Sequence, residues 1–150
     1  MTNGPEGIEW VNFVMADADG RIIGYTRTQR EAYEVTPDRP GMTKYLIGDL
    51  MLGDSYKLYW VDGDVLTLRP EFTKTFSKMQ VQADGVDETV MSDLAKGSRV
   101  RVTPPVSVSI TDVVTDSVGL TLTFDEPGIW KVEVEEFPSL PKTFEIEAIE

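Results

Sequence analysis

Short runs of alternating apolar and polar residues dominate the second half of the chain, and no stretch of it carries the 3.6-residue period of an amphipathic helix. The runs cover residues 79–83, 89–91, 98–102, 106–110, 119–124, 130–134 and 144–148, separated by Asp-Gly, Pro-Pro and Pro-Gly turns. Short period-two segments at such spacing predict an antiparallel β-sandwich. Alternation also predicts which side chains face inward: Val100 and Val102; Leu120, Leu122 and Phe124; Trp130, Val132 and Val134; Phe144, Ile146 and Ala148.

The first half is punctuated differently. Residues 8–25 place two apolar β-rich runs around Asp17-Ala18-Asp19-Gly20, and residues 56–70 place two more around Asp62-Gly63-Asp64, so each predicts a hairpin. Between them Pro37, Pro40, Gly41, Gly48 and Gly53 rule out a long helix, leaving at most a short helical turn at residues 30–35. Pro70 ends one strand pattern and another begins near Phe76, which places a joint at residues 70–76. The chain is therefore expected to be all-β, with a small N-terminal β-hairpin docking unit over residues 1–72 and an immunoglobulin-like antiparallel sandwich over residues 73–150.

Charge and composition narrow the function. In 150 residues, 14 Lys and Arg face 26 Asp and Glu, a net charge of −12 that repels a polyphosphate backbone, so nucleic acid is not an expected partner. His and Cys are both absent, which removes Ser-His-Asp and Cys-His catalysis, disulfides and the usual structural zinc ligands. No apolar run is long enough for a membrane helix, and the first seven residues have neither a basic nor an apolar signal region. No membrane insertion and no signal-directed export are expected.

Two segments carry a resemblance. Residues 83–97, with Asp84-Gly85-Val86-Asp87-Glu88 before a strand and then Leu94-Ala95-Lys96-Gly97, precede Pro127-Gly128-Ile129-Trp130-Lys131-Val132-Glu133-Val134 and Phe137-Pro138. This pattern resembles the C-terminal immunoglobulin-like module of small virion-associated proteins of tailed bacteriophages. Gly20-Arg21-Ile22, and Trp60-Val61-Asp62-Gly63 through Arg69-Pro70, are similar to the hairpins that precede the module in the same proteins. Ala95 stands where that pattern has Pro, and residues 103–117 form a longer insertion. The resemblance implies a non-enzymatic virion component, made in the host cytoplasm, present in several copies in a symmetric assembly and bound to other virion proteins. It implies no cofactor and no catalytic residue.

Three groups of side chains invite sharper chemistry. Asp17 and Asp19 resemble the opening of a calcium loop, but Ile23, Tyr25 and Thr28 occupy the positions that need further oxygen ligands, so a hairpin turn is expected there and no metal. Asp112, Asp116, Asp125 and Glu126 contain the carboxylates a glycosidase requires, and in so acidic a chain they are expected to be a solvated face. Tyr56, Tyr59 and Trp60 form the candidate interface. Tyr59 and Trp60 are adjacent, so within a strand one ring faces away from its sheet's core and suits a partner contact better than a sugar site. The expected function is a structural or accessory role in a tailed-phage virion, as capsid decoration, collar, tail or fibre attachment. A host-surface carbohydrate-binding module and a soluble tail-fibre assembly chaperone are the alternatives.

Overall fold

The computed structural model describes residues 2–3, 7–106 and 109–150. The chain is all-β and divides into two compact units, residues 1–69 and 70–150. The boundary falls between Arg69 and Pro70 rather than after residue 72. Phe72 and Phe76 are buried in the core of the second unit, and the Pro70 carbonyl accepts the Leu140 N–H at 2.8 Å, so residues 70–76 are packed chain and not a linker.

In the first unit, β1 (Thr2–Asn3), β2 (Glu9–Asp17), β3 (Ile22–Gln29) and β4 (Met42–Leu46) make one antiparallel sheet. β2 is its centre: β3 lies along one side, while β1 and β4 share the other, pairing with its start and its end respectively. The expected first hairpin is β2–β3, with a register shift between Met15 and Ala16. The expected helical turn is α1 (Arg30–Val35). Alternation along β2 buries both of its faces. Phe13 meets the Tyr33 ring of α1 edge-on at 5.1 Å, while Val14 and Ala16 join Ile22, Leu52 and Val61 in a small core.

The second hairpin is shorter than its sequence pattern. Strands β5 (Tyr59–Asp62) and β6 (Val65–Leu68) pair in register, but residues 56–58 belong to a 3₁₀ turn over Gly53–Leu58. The Ser55 N–H donates to the Leu52 carbonyl at 3.0 Å, which winds the chain there before it can extend.

The second unit pairs β7 (Gln80–Gln82), β8 (Glu88–Met91), β9 (Arg99–Thr103), β10 (Thr111–Val114), β11 (Leu120–Thr123), β12 (Gly128–Glu135) and β13 (Lys142–Ile149) into two sheets. One runs β10-β9-β12-β13-β7 and the other is β11-β8. Among the described residues only the β13–β7 pair is parallel. The chain crosses between the two sheets at β7–β8, β8–β9, β10–β11 and β11–β12, whereas β9–β10 and β12–β13 are antiparallel neighbours in one sheet, a sandwich-like arrangement. Inward residues from both sheets meet in one core with Phe72, Phe76, Met91 and Leu94. Val132, Val134, Phe144, Ile146, Ala148, Val100 and Phe124 are buried as the alternation predicts, and Val102, Leu120, Leu122 and Trp130 pack on the core's margin.

One expected strand is displaced. Of residues 106–110, Ser107 and Val108 lie outside the described residues, and Val106, Ser109 and Ile110 are not in a strand; pairing with β9 begins at Thr111. The ladder resumes where Thr111 comes opposite Val102, so the 103–117 insertion carries a paired strand, β10.

The motifs behind the resemblance have structural causes. Asp84 Oδ1 accepts the N–H groups of Val86 and Asp87, each at 2.9 Å, which closes the turn before β8. Asp87 accepts the Gln82 N–H at 2.8 Å and pairs with Lys78, tying that turn to β7. Gly128 has φ +133°, and a Cβ there would lie 2.6 Å from the Pro105 ring, so a side chain is excluded.

Candidate functional site

The candidate interface is built by packing the β5–β6 hairpin and the 3₁₀ turn on the end of the β2–β3 hairpin. Asp17 makes that end rigid. Its Oδ1 accepts the N–H groups of Asp19 and Arg21, each at 3.0 Å, and its carbonyl accepts the Gly20 N–H at 3.0 Å. These carboxylate bonds make a turn cap, which is why Asp and Gly are needed at those positions. The Gly20 carbonyl then accepts the Val61 N–H at 2.8 Å, and Arg21 bridges Trp60, so the turn of one hairpin is seated on the first strand of the other.

Asn12 fixes the approach to the site. It is buried, its Oδ1 accepts the Tyr25 hydroxyl at 2.7 Å, and its Nδ2 donates to the Gly48 carbonyl at 2.9 Å. Its backbone carbonyl accepts the Ile47 N–H at 3.0 Å. A buried amide satisfied on both sides anchors the loop that leads to Leu50, Met51 and Leu52. Leu52 turns into the core, whereas Leu50 and Met51 are exposed.

The three predicted residues are brought together in this unit, yet none is a fully exposed ring. Tyr56 and Tyr59 are half-buried against the cluster of Val14, Ala16, Ile22, Leu52 and Val61. The pleat puts Tyr59 on the side of Val61, so Trp60 is the ring that faces away from the cluster; it is half-buried beside Gly20. The large apolar groups left in water on these segments are aliphatic: Leu50, Met51, Leu58, Val65 and Leu68, with Val65 and Leu68 63% and 62% exposed, Leu68 on the Tyr59 side of the hairpin and Val65 on the Trp60 side. The sequence reading missed them because Val65-Leu66-Thr67-Leu68 has the alternation of a half-buried strand, and a two-stranded hairpin covers only part of its apolar side. Asp54, Lys57, Asp62 and Asp64 are exposed charges on the same segments and make a polar surround.

The acidic groups take other places. Asp112 on β10 pairs with Arg101 at 3.0 Å, Asp116 lies in the loop after β10, and Asp125 and Glu126 lie in the turn before β12. No cluster of three or more acidic side chains suited to a metal ion occurs among the described residues, and no helix among them is long and apolar enough to cross a membrane. On the outward face of the five-stranded sheet, Glu133 and Asp112 both stand opposite Arg101, Glu135 opposite Arg99, and Lys131 opposite Glu145. Opposite charges across strands favour a hydrated sheet face.

No protein-family model, no curated protein and no solved structure matches the chain.

Proposed function

We propose that the chain is a non-enzymatic structural or accessory component of a tailed-phage virion, present in several copies, held through its first unit with the sandwich displayed to solvent. The sequence motifs that resemble phage immunoglobulin-like modules support the setting. The observation that carries the attachment is the set of aliphatic side chains left exposed on the β5–β6 hairpin and the segment before it, Leu50, Met51, Leu58, Val65 and Leu68, on a unit whose main buried cluster is five residues. A unit of that kind gains apolar burial from a neighbour, whereas the second unit has a buried cluster of twelve residues and a face of paired charges.

Replacing Val65 and Leu68 together by Lys tests this, because both are exposed and a Lys at 65 stands opposite Asp62 as an opposite-charge pair. Mass spectrometry of purified particles should find the unmodified chain and lose a V65K/L68K chain whose circular dichroism is unchanged. Incorporation of the variant at the normal copy number would overturn the attachment surface, and absence of the unmodified chain from particles would overturn the virion role.

A further inference from the structure

The five-stranded sheet ends on β10, whose one partner strand among the described residues is β9. All four of its residues are exposed, Val113 by 45% and Val114 by 62%. Proteins commonly protect such an edge with Lys, Pro or a bulge. None occurs in Thr111-Asp112-Val113-Val114, and its register with β9 is unbroken. Its single charge, Asp112, is already paired with Arg101.

The ladder sets which backbone groups face outward. The Thr115 N–H donates to the Ser98 carbonyl at 2.9 Å, continuing the register of Val113 with Val100 and Thr111 with Val102. Antiparallel alternation then turns the N–H and C=O of Val113 toward β9 and those of Asp112 and Val114 away from it.

We propose that this edge pairs with the same edge of a second copy of the chain, antiparallel, about a twofold axis through Val113. In that register Asp112 lies opposite Val114 of the second copy, and the outward groups of the two residues exchange N–H···O bonds. The symmetric pair does the same. Val113 meets its own copy at the axis as a close, non-hydrogen-bonded pair. Centring the axis on Asp112 would set that carboxylate against itself, and centring it on Val114 would set Asp112 against Asp116, so like-charge repulsion rejects both neighbouring registers. The strand is therefore complementary to itself in one register.

The contact is small. A four-residue edge buries well under about 1,000 Å², so pairing is weak in dilute solution and is favoured where copies are held close together. The net charge of −12 opposes it, and salt relieves that repulsion. Pairing is a property of the chain alone, so its failure would leave the attachment surface on the first unit untouched.

The absence of cysteine makes the test direct. At a non-hydrogen-bonded antiparallel pair the Cα atoms lie about 4.5 Å apart, within reach of a disulfide. Oxidation of the full-length V113C chain should give a linked dimer about tenfold faster than oxidation of V86C, whose site is 75% exposed but off the edge. Sedimentation of the unmodified chain up to about 1 mM should show a dimer that strengthens with salt, and V113K, which sets two ammonium groups face to face, should remain monomeric. Linking of V113C no faster than V86C, a monomer at every concentration and salt, or an undiminished V113K dimer would each overturn the proposal. Protection of the Asp112 and Val114 amides from exchange only when a different virion protein is added would overturn it as well, by assigning the edge to that protein.

Discussion

Gly20 and Val61 are joined so closely that a methyl group cannot be placed between them. The Gly20 carbonyl accepts the Val61 N–H at 2.8 Å, Gly20 has φ +89°, and a Cβ there would run into the Val61 carbonyl oxygen and lie 3.2 Å from the Trp60 ring. One residue thus holds the β2–β3 turn against β5 and sets where Trp60 lies.

Gly20→Ala should destabilise the first unit by about 2 to 4 kcal/mol, combining an unfavourable positive φ with a backbone clash. Gly24→Ala is the control: its φ is not positive, an added Cβ meets nothing within 4 Å, and the change should be neutral or stabilising by up to about 1 kcal/mol. Denaturant unfolding of the two variants, followed by tryptophan fluorescence, checks both values.

The packing of residues 70–76 predicts where the second unit can be started. Phe72 is 3% exposed and meets the Phe144 ring edge-on at 6.2 Å. A chain beginning at Pro70 should unfold cooperatively, and one beginning at Thr73 should be less stable by about 3 to 5 kcal/mol, the cost of deleting a buried Phe. Equal unfolding midpoints for the two would place Phe72 outside the core.

Acid stability should depend on Glu136. Burial raises its carboxyl pKa, but the hydrogen bond from Lys74 at 2.6 Å, the Ala95 N–H at 2.8 Å and the Lys74 charge outweigh burial and hold it below its ordinary 4.5. Because the folded pKa lies below the unfolded one, the contribution is present above about pH 4.5 and disappears as pH falls through the folded value. Glu136→Gln should therefore be less stable than the unmodified chain at neutral pH, with the difference shrinking on acidification. A difference that stays constant from pH 7 to about pH 3 would remove Glu136 from the acid transition.

Trp130 is half-buried, its ring centroid 4.9 Å from that of Phe124, and its Nε1 donates to the Glu126 carbonyl at 2.9 Å. Truncation to Ala should cost about 2 to 4 kcal/mol, below the full cost for a wholly buried Trp, and Trp130→Phe about 1 kcal/mol for the lost hydrogen bond. Thermal or denaturant unfolding reads both, and a loss below about 1 kcal/mol for the Ala variant would return the ring to the surface.

The sequence by itself determined the all-β class, the β2–β3 hairpin, the short helix at residues 30–35 and the inward residues of the sandwich. Each depends on local rules: period-two alternation, turn residues at fixed offsets, and the density of Pro and Gly. Tertiary structure decided what those rules leave open. Phe72 and Phe76 lie outside the strands, so alternation gave no sign that they fill the second core. Residues 56–58 look like strand but are wound by the Leu52–Ser55 contact, and the strand expected at 106–110 appears at 111–114, where pairing with Val102 sets the register. How far the rings of Tyr56, Tyr59 and Trp60 are covered was not legible either, because it depends on long-range packing against Gly20, Ile22 and Leu52. The exposed edge of β10 was hidden from the sequence for the same reason, since a strand becomes an edge only through the order in which its sheet is assembled.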